Sequence, residues 1–557
     1  MKKNKNLRSY FEFGEASECR RGLLCGMGIT PEEQDRPLIG IINSWNDYNP
    51  GHVPLKALAE RVKQGVREAG GYPVEVMTTG ICDGMVLKDP KYVEIPSRNS
   101  IADQVEITVE GNFFVGMVML STCDSIVPGH LMAAASLDNP TILVTGGYMP
   151  LGQVRGKEVL HIHAQDKVGT AKEGRMDMDE YNELIENSWG MCGGCTSMTT
   201  ANSMCIIAEA LGMSLPGNST ASAVSPKLSN IAYRAGKQIM SLVEHNITAR
   251  KVMTPEAIKN AIKVDMAVAG SSNLILHIPA IAHEAEYDLP WWKYFDEASH
   301  DIPLMSHLAP SGPYTLKDLD LAGGLSPIID RLMPKLDGSC LTVTGNTLAE
   351  NVKGAPVYNE DVIRTLDNPV MRLPGIGVLY GNLAPEGAII KIAAVPEHLM
   401  KFSGVAKVFD SLDEGLKALR GGEVKPGDAL VLRFMGLKGR FGTTAFPFQE
   451  ELKGIPELYN SCAIITDGRF SGGTSGLSIG YVSPEAALVG PIGLIKNGDI
   501  VDIDVTGRKI NMRVSDEEIA KRASEFSWTF PKNDYPRYLN LFVKNVGSMA
   551  KGGIWER

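Results

Sequence analysis

Cys123-Asp124 closes the apolar run FFVGMVMLST (113–122), and Cys192-Gly-Gly-Cys195 forms a second short cysteine motif. A soft thiolate beside a hard carboxylate, at the end of a buried strand, suits a site that holds two kinds of metal centre. Thiolates select iron–sulfur clusters or zinc, and carboxylates select magnesium or manganese. Asp83 in GICDGM and Glu485 in SPEA are further carboxylates for a hard cation. The text around Glu485, DGRFSGGTSGLSIGYVSPEA (467–486), is rich in Gly, Ser and Thr. Such a segment offers backbone N–H groups and hydroxyls to an anionic ligand. By spacing alone, Cys192-x-x-Cys195 reads as a redox pair, as half a zinc site, or as the cap of the helix TANSM. No second Cys-x-x-Cys exists to complete a zinc ribbon. Ser515-x-x-Glu518 has the spacing of a capping box.

The elements that must position these residues follow from hydrophobic period. PLIGIINSW (37–45), VEVMTT (74–79), FFVGMVMLST and TILVTGG (141–147) read as strands. VPLKALAERVKQGVREAGG (53–71), IADQVEITVEGN (101–112) and LMAAASLDN (131–139) read as the helices between them. That alternation predicts an α/β unit with a mainly parallel sheet covered on both faces. Ligands of such sheets sit at the carboxyl ends of the strands, where Cys123-Asp124 and Asp83 fall. Amphipathic helices dominate from about 199 to 335. From about 375 the text turns β-rich, with short strands, Gly turns and few helices, which predicts a barrel-like second domain. We place the first domain, with the cysteine motifs, at 1–365 and the second at 370–557.

Composition narrows the class. The chain has 557 residues, 44% of them hydrophobic, and a formal net charge of −10. That charge argues against nucleic-acid binding, which needs a basic surface. No run of about 18 apolar residues predicts a membrane span. The opening MKKNKNLRSYFEFG is basic but lacks the apolar stretch of a secretory signal. Nine scattered cysteines read as reduced thiols, so a cytoplasmic location is expected.

Longer stretches carry a resemblance. PGHVPL, PSRNSIADQVE, CDSIVPGHLMAAA, EALGMSLPGN, LTVTGNTLAEN, LYGNLAPEGAIIK and ITDGRFSGGTSGLSIGYVSPEAA closely resemble the dihydroxy-acid dehydratase and phosphogluconate dehydratase family over essentially the whole chain. The DGRFSGGTSGLSIG text looks more like the branched-chain than the sugar-acid branch. The resemblance implies an iron–sulfur hydro-lyase, a homodimer, that dehydrates a small 2,3-dihydroxy acid to a 2-oxo acid. It implies cluster ligands at Cys123 and Cys195, with a 2Fe-2S or a 4Fe-4S cluster. It also implies Mg2+ ligands at Asp83, Asp124 and Glu485, and a general base at Ser515. Alternatives within this reading are an aldonate dehydratase and a catalytically weak acid-binding homologue.

The chain departs from the family pattern near the expected site. Ser125 stands where the family has a lysine, carbamylated to bind magnesium. Gly51 stands where many relatives have a cluster cysteine, which leaves Cys82 and Cys192 as candidates for a third thiolate. GLKGRFGTTAFPFQE (436–450) replaces a GGPGMxEM loop, and DGMVLKDPKY (83–92) replaces a DGIAMGHxGM-like stretch.

Overall fold

The computed structural model describes residues 17–86, 92, 95–172, 174–529 and 535–556. The basic opening segment and the LKDPK stretch at 87–91 lie outside the described residues. Four strands, β1 (Leu38–Asn43), β2 (Tyr72–Met77), β3 (Gly116–Ser121) and β4 (Thr141–Thr145), form a parallel sheet in the order β2-β1-β3-β4. Every residue of β1, β3 and β4 is buried. That is why these strands read as unbroken apolar runs, since a parallel sheet is covered on both faces.

The covering helices include α1 (Leu55–Glu68), α2 (Ile95–Asn112), α3 (Ile126–Leu137), α4 (Thr200–Ala210) and α5 (Pro226–Glu244). α1 and α5 cross backbone to backbone. A Cβ on Gly65 would lie 2.1 Å from the Tyr233 carbonyl, and one on Gly236 2.1 Å from that of Val62. Only glycine permits this approach. α6 (Pro255–Val268) and α7 (Leu274–Glu284) continue the helical part, and β5 (Gly152–Val154) pairs with β6 (Lys157–Val159) as a hairpin.

Eight strands then close a barrel: β7 (Gly377–Gly381), β8 (Ala384–Ile390), β9 (Lys401–Phe409), β10 (Ala429–Leu432), β11 (Ala463–Thr466), β12 (Ser478–Ser483), β13 (Ile500–Asp504) and β14 (Lys509–Met512). Their order is β10-β11-β12-β8-β7-β14-β13-β9, with parallel and antiparallel neighbours mixed. Closure removes the sheet edges. The barrel has its own apolar interior, including Leu379, Val431, Ile465 and Ile503.

The expectation of few helices here is corrected. α8 (Leu412–Arg420), α9 (Phe446–Lys453), α10 (Asp516–Glu525) and α11 (Arg537–Asn545) fall in this part. α8 and α9 have the apolar faces needed to cover the outside of β10 and β11, around Leu430, Phe448 and Ile464. α11 and the chain end return to the first core through Leu539, Phe542 and Ile554. Arg98, fully buried on α2, donates to the carbonyls of Gly552 and Gly553 at 2.7 and 2.9 Å.

Candidate active site

All four parallel strands end toward one cavity of about 90 Å³. Asn49, Pro50 and Gly51 come from the loop after β1, Cys82 and Asp83 from that after β2. Cys123 and Asp124 follow β3, and Met149 follows β4. Cys195 and Thr199 arrive from the segment before α4, and Asn273 from the turn between α6 and α7. The barrel domain supplies Thr444, Phe446, Ser471 and Gly473. Open parallel sheets bind their ligands at such strand ends.

The loops are tied together by polar bonds. The two ring nitrogens of fully buried His52 stand 2.6 Å from the carbonyls of Ser44 and Thr122, joining the loop after β1 to that after β3. Asn49 Oδ1 accepts from the Gly51 N–H at 2.9 Å and from the Cys123 thiol at 3.5 Å. Cys123 itself takes φ 72°. The left-handed region costs a residue with a Cβ roughly 1–3 kcal/mol, and such residues gather at functional sites.

Cys123 and Cys82 form a thiol pair. Their hydrogen bond, and then burial, pushes Cys123 well up, while the same bond holds Cys82 below the ordinary thiol range. Burial, followed by the charge of Asp124, pushes Cys195 well up. Asp124 is raised well above the carboxylate range by burial and then by Asp83; the Thr200 hydroxyl and the Ala201 N–H, in the first turn of α4, pull it back. Asp83 is raised by burial, with its neighbour Gly84 N–H and the buried Arg469 opposing. Five acidic groups thus crowd a cavity short of positive charge. Cys123, Cys195, Asp83 and Asp124 resist ionisation through burial, joined at all but Asp83 by neighbouring groups, and a bound cation would favour their ionised forms.

Among the described residues, no three His, Cys, Asp or Glu side chains already enclose a single metal ion. The donor set is instead three cysteines facing two carboxylates around a cavity. Iron–sulfur clusters are held by cysteine thiolates, which here come from three separate loops. The donors present therefore fit a cluster, with a hard cation on the carboxylate side. At Gly51, a Cβ would lie 2.8 Å from the Cys123 sulfur, so a side chain there would require that thiol to move. Ser125 is fully buried and its hydroxyl has no hydrogen-bond partner, an orphaned polar atom where a metal-binding lysine would enter. Ser125→Lys is expected to raise the divalent-cation affinity of the apo-protein about tenfold, read by titration calorimetry in bicarbonate. Unchanged affinity would mean that another group already fills that place.

Three expected site residues are not brought to the cavity. Glu485 is buried elsewhere; its carboxylate accepts the N–H groups of Leu437, Lys438 and Gly439 at 2.9, 2.7 and 3.1 Å. The 436–440 turn leaves those donors free at the start of a short helix, and a carboxylate satisfies them. A Cβ on Gly436 would meet Glu485 Oε2 at 2.4 Å, so that fit requires glycine. Ser515 is exposed and caps α10, accepting the Glu518 N–H at 3.3 Å. The expected box is half closed, because the Glu518 carboxylate turns to Arg522 at 2.9 Å. Cys192 is not among the cavity walls, although Cys195 is. Conversely, sequence reasoning missed Ser471, Asn273 and Arg469. The DGRFSGGTSG text was the available signal, but nothing in it distinguished Ser471 from its neighbours.

Glu485 gives a pH prediction. Burial and then Asp467 push it up to about 8, against three backbone N–H groups. Folded Glu485 keeps its proton to higher pH than the unfolded chain does. Its contribution to stability is complete below the ordinary glutamate range and is lost as pH rises through about 8. Melting temperature measured from pH 5 to 8.5 should fall, and Glu485→Gln should flatten that slope. An unchanged slope would remove Glu485 as its cause.

Residues 36–351 match the dihydroxy-acid/6-phosphogluconate dehydratase N-terminal family, and 361–553 match its C-terminal counterpart. Dihydroxy-acid dehydratase 1 of Methanosarcina acetivorans is 44% identical over 547 residues, covering 97% of this chain and 98% of its own. The dihydroxy-acid dehydratases of Caldanaerobacter subterraneus and Clostridium novyi are each 43% identical, covering 96% and 98% of this chain and 97% and 99% of their own. Two matched halves, in the order of the two folds that wall the cavity, place this chain in the dihydroxy-acid/6-phosphogluconate dehydratase family.

Proposed function

We propose that this cavity dehydrates a small 2,3-dihydroxy carboxylic acid of the branched-chain type, with Ser471 rather than Ser515 moving the proton. Membership of the family makes the chain a hydro-lyase that turns a dihydroxy acid into an oxo acid. The observation that carries the reading is the convergence of Cys82, Cys123, Cys195, Asp83, Asp124 and Ser471 on one cavity.

In this reading Cys123 and Cys195 hold an iron–sulfur cluster with Cys82 as the third thiolate, and Asp83 and Asp124 hold Mg2+. When bound, these groups supply Lewis acidity at the C3 hydroxyl and charge stabilisation at the carboxylate and C2 oxygen. Ser471 lines the cavity from the barrel side and takes the C2 proton at its Oγ. A serine does this only as its alkoxide, which forms only where nearby positive charge lowers the hydroxyl pKa. Arg469, two residues earlier and fully buried, holds its charge with a pKa near 10. Loss of the C3 hydroxyl as water leaves an enol, which becomes the 2-oxo acid. Phe446, Ile162 and Met149 offer apolar wall to a hydrocarbon tail, which favours the branched-chain type over a polyhydroxy acid.

A homodimer and a cytoplasmic location complete this proposal. Among the described residues, no helix is long and apolar enough to cross a membrane. The test is anaerobic purification, iron and sulfide analysis, and a 2-oxo-acid assay on a panel of branched-chain dihydroxy acids and aldonates. Turnover should favour the branched acids. Cluster-replete protein that turns over neither would sink the proposal, and preference for aldonates would overturn its choice of tail.

A further inference from the structure

A buried lysine and a buried aspartate lie behind the cavity, and neither touches it. Lys391 follows β8, is 6% exposed, and donates from Nζ to the Gly472 carbonyl at 3.1 Å. Gly472 sits between Ser471 and Gly473, two walls of the cavity. It is also pressed against the start of α4. A Cβ on Gly472 would lie 2.6 Å from Thr199 Cα and 2.8 Å from the Thr200 nitrogen. The 471–473 turn therefore has no slack on its inner side, and Lys391 holds it from the other.

Asp265, near the end of α6, is 1% exposed, and neither carboxylate oxygen has a hydrogen-bond partner. A Cβ on Gly270 would lie 1.7 Å from Asp265 Oδ1. The turn that carries Asn273 into the cavity wall is thus laid directly over this carboxylate. An unpaired buried carboxylate is costly, and burial favours its protonated form. Burial pushes Asp265 well up and Lys391 down to about 8, and each opposes the other's shift. The other titratable groups around this seam are His307, whose pKa Lys391 also lowers, Arg469, and Asp83 across the cavity.

We propose that Lys391 is a positioning residue for Ser471: its ammonium fixes the Gly472 carbonyl, and with it the turn that carries the serine. This rests on the reading of Ser471 as the proton carrier. Lys391 belongs to the barrel side, and the turn it holds is pressed against Thr199 and Thr200 of the first part. A serine displaced by about 1 Å loses on the order of 100-fold in rate without losing substrate contacts elsewhere.

The test compares Lys391→Met, Lys391→Arg, Asp265→Asn and Ser471→Ala with the wild type. Lys391→Met is expected to lower kcat about 10- to 100-fold with KM and cluster content nearly unchanged. In the apo-protein, hydrogen exchange of the peptide containing Ser471–Gly473 should rise, while that of α4 stays as it was. Lys391→Arg should restore most of both, and Asp265→Asn should shift both in the same direction by less. Unchanged kcat in Lys391→Met, or a loss of kcat without faster exchange in that peptide, would overturn the proposal. If Lys391→Met does not fold, Asp265→Asn and Lys391→Arg are judged by the same two measurements. Failure of the underlying reading looks different: Ser471→Ala would then keep its kcat, whatever Lys391→Met does.

Discussion

Cys123→Ser is expected to abolish the visible absorption of the anaerobically purified protein and to lower kcat by at least about 10³-fold, because several kcal/mol of Lewis-acid stabilisation depart with the cluster. Cys123 has the central place among the thiols, hydrogen-bonded to Cys82 and repelled by the charge of Cys195. An alcohol in its place is a poor ligand for iron, which in clusters is held by thiolates. The fold should survive, since serine is close in size. Iron and sulfide per chain, the visible spectrum and the far-UV circular dichroism are measured together. Cys82→Ser should lower cluster occupancy as well, and Cys192→Ser should leave it unchanged, since Cys192 is not a cavity wall. Full cluster content in Cys123→Ser would refute the assignment. Cluster loss in Cys192→Ser but not in Cys82→Ser would exchange the third thiolate.

The second large effect concerns the two serines. Ser471→Ala should lower kcat by about 10²–10⁴, the usual worth of a general base, with KM and cluster content little changed. Ser515→Ala should leave kcat within about twofold but cost about 1 kcal/mol of stability, because its hydroxyl caps α10. Melting temperature and steady-state kinetics on the same preparations separate the roles. The opposite pattern, with Ser515→Ala dead and Ser471→Ala active, would return the proton transfer to Ser515. That outcome would require a rearrangement carrying Ser515 from the exposed start of α10 to the cavity.

Much of this was legible in the chain itself. The four parallel strands were readable because full burial makes unbroken apolar runs, as in β1 and β3. Their carboxyl ends located Asp83, Cys123 and Asp124 before any coordinates. The barrel strands were readable from their short apolar runs between Gly turns. Their covering helices were missed because α8 and α9 are short and half polar, and read as turns between strands.

The sequence by itself determined the family, the parallel sheet, and the thiolates and carboxylates that local text carries to the strand ends. Only the tertiary structure decided which distant residues join them. Glu485 and Ser515 look like site residues because both sit in family-like text, yet each is claimed by unpaired backbone N–H groups, in the 436–440 turn and at the start of α10. Those donors are satisfied by whichever acceptor the fold brings near, and no local pattern states which one that is. Lys391 reaches the turn of Ser471 over a sequence separation that periodicity cannot span.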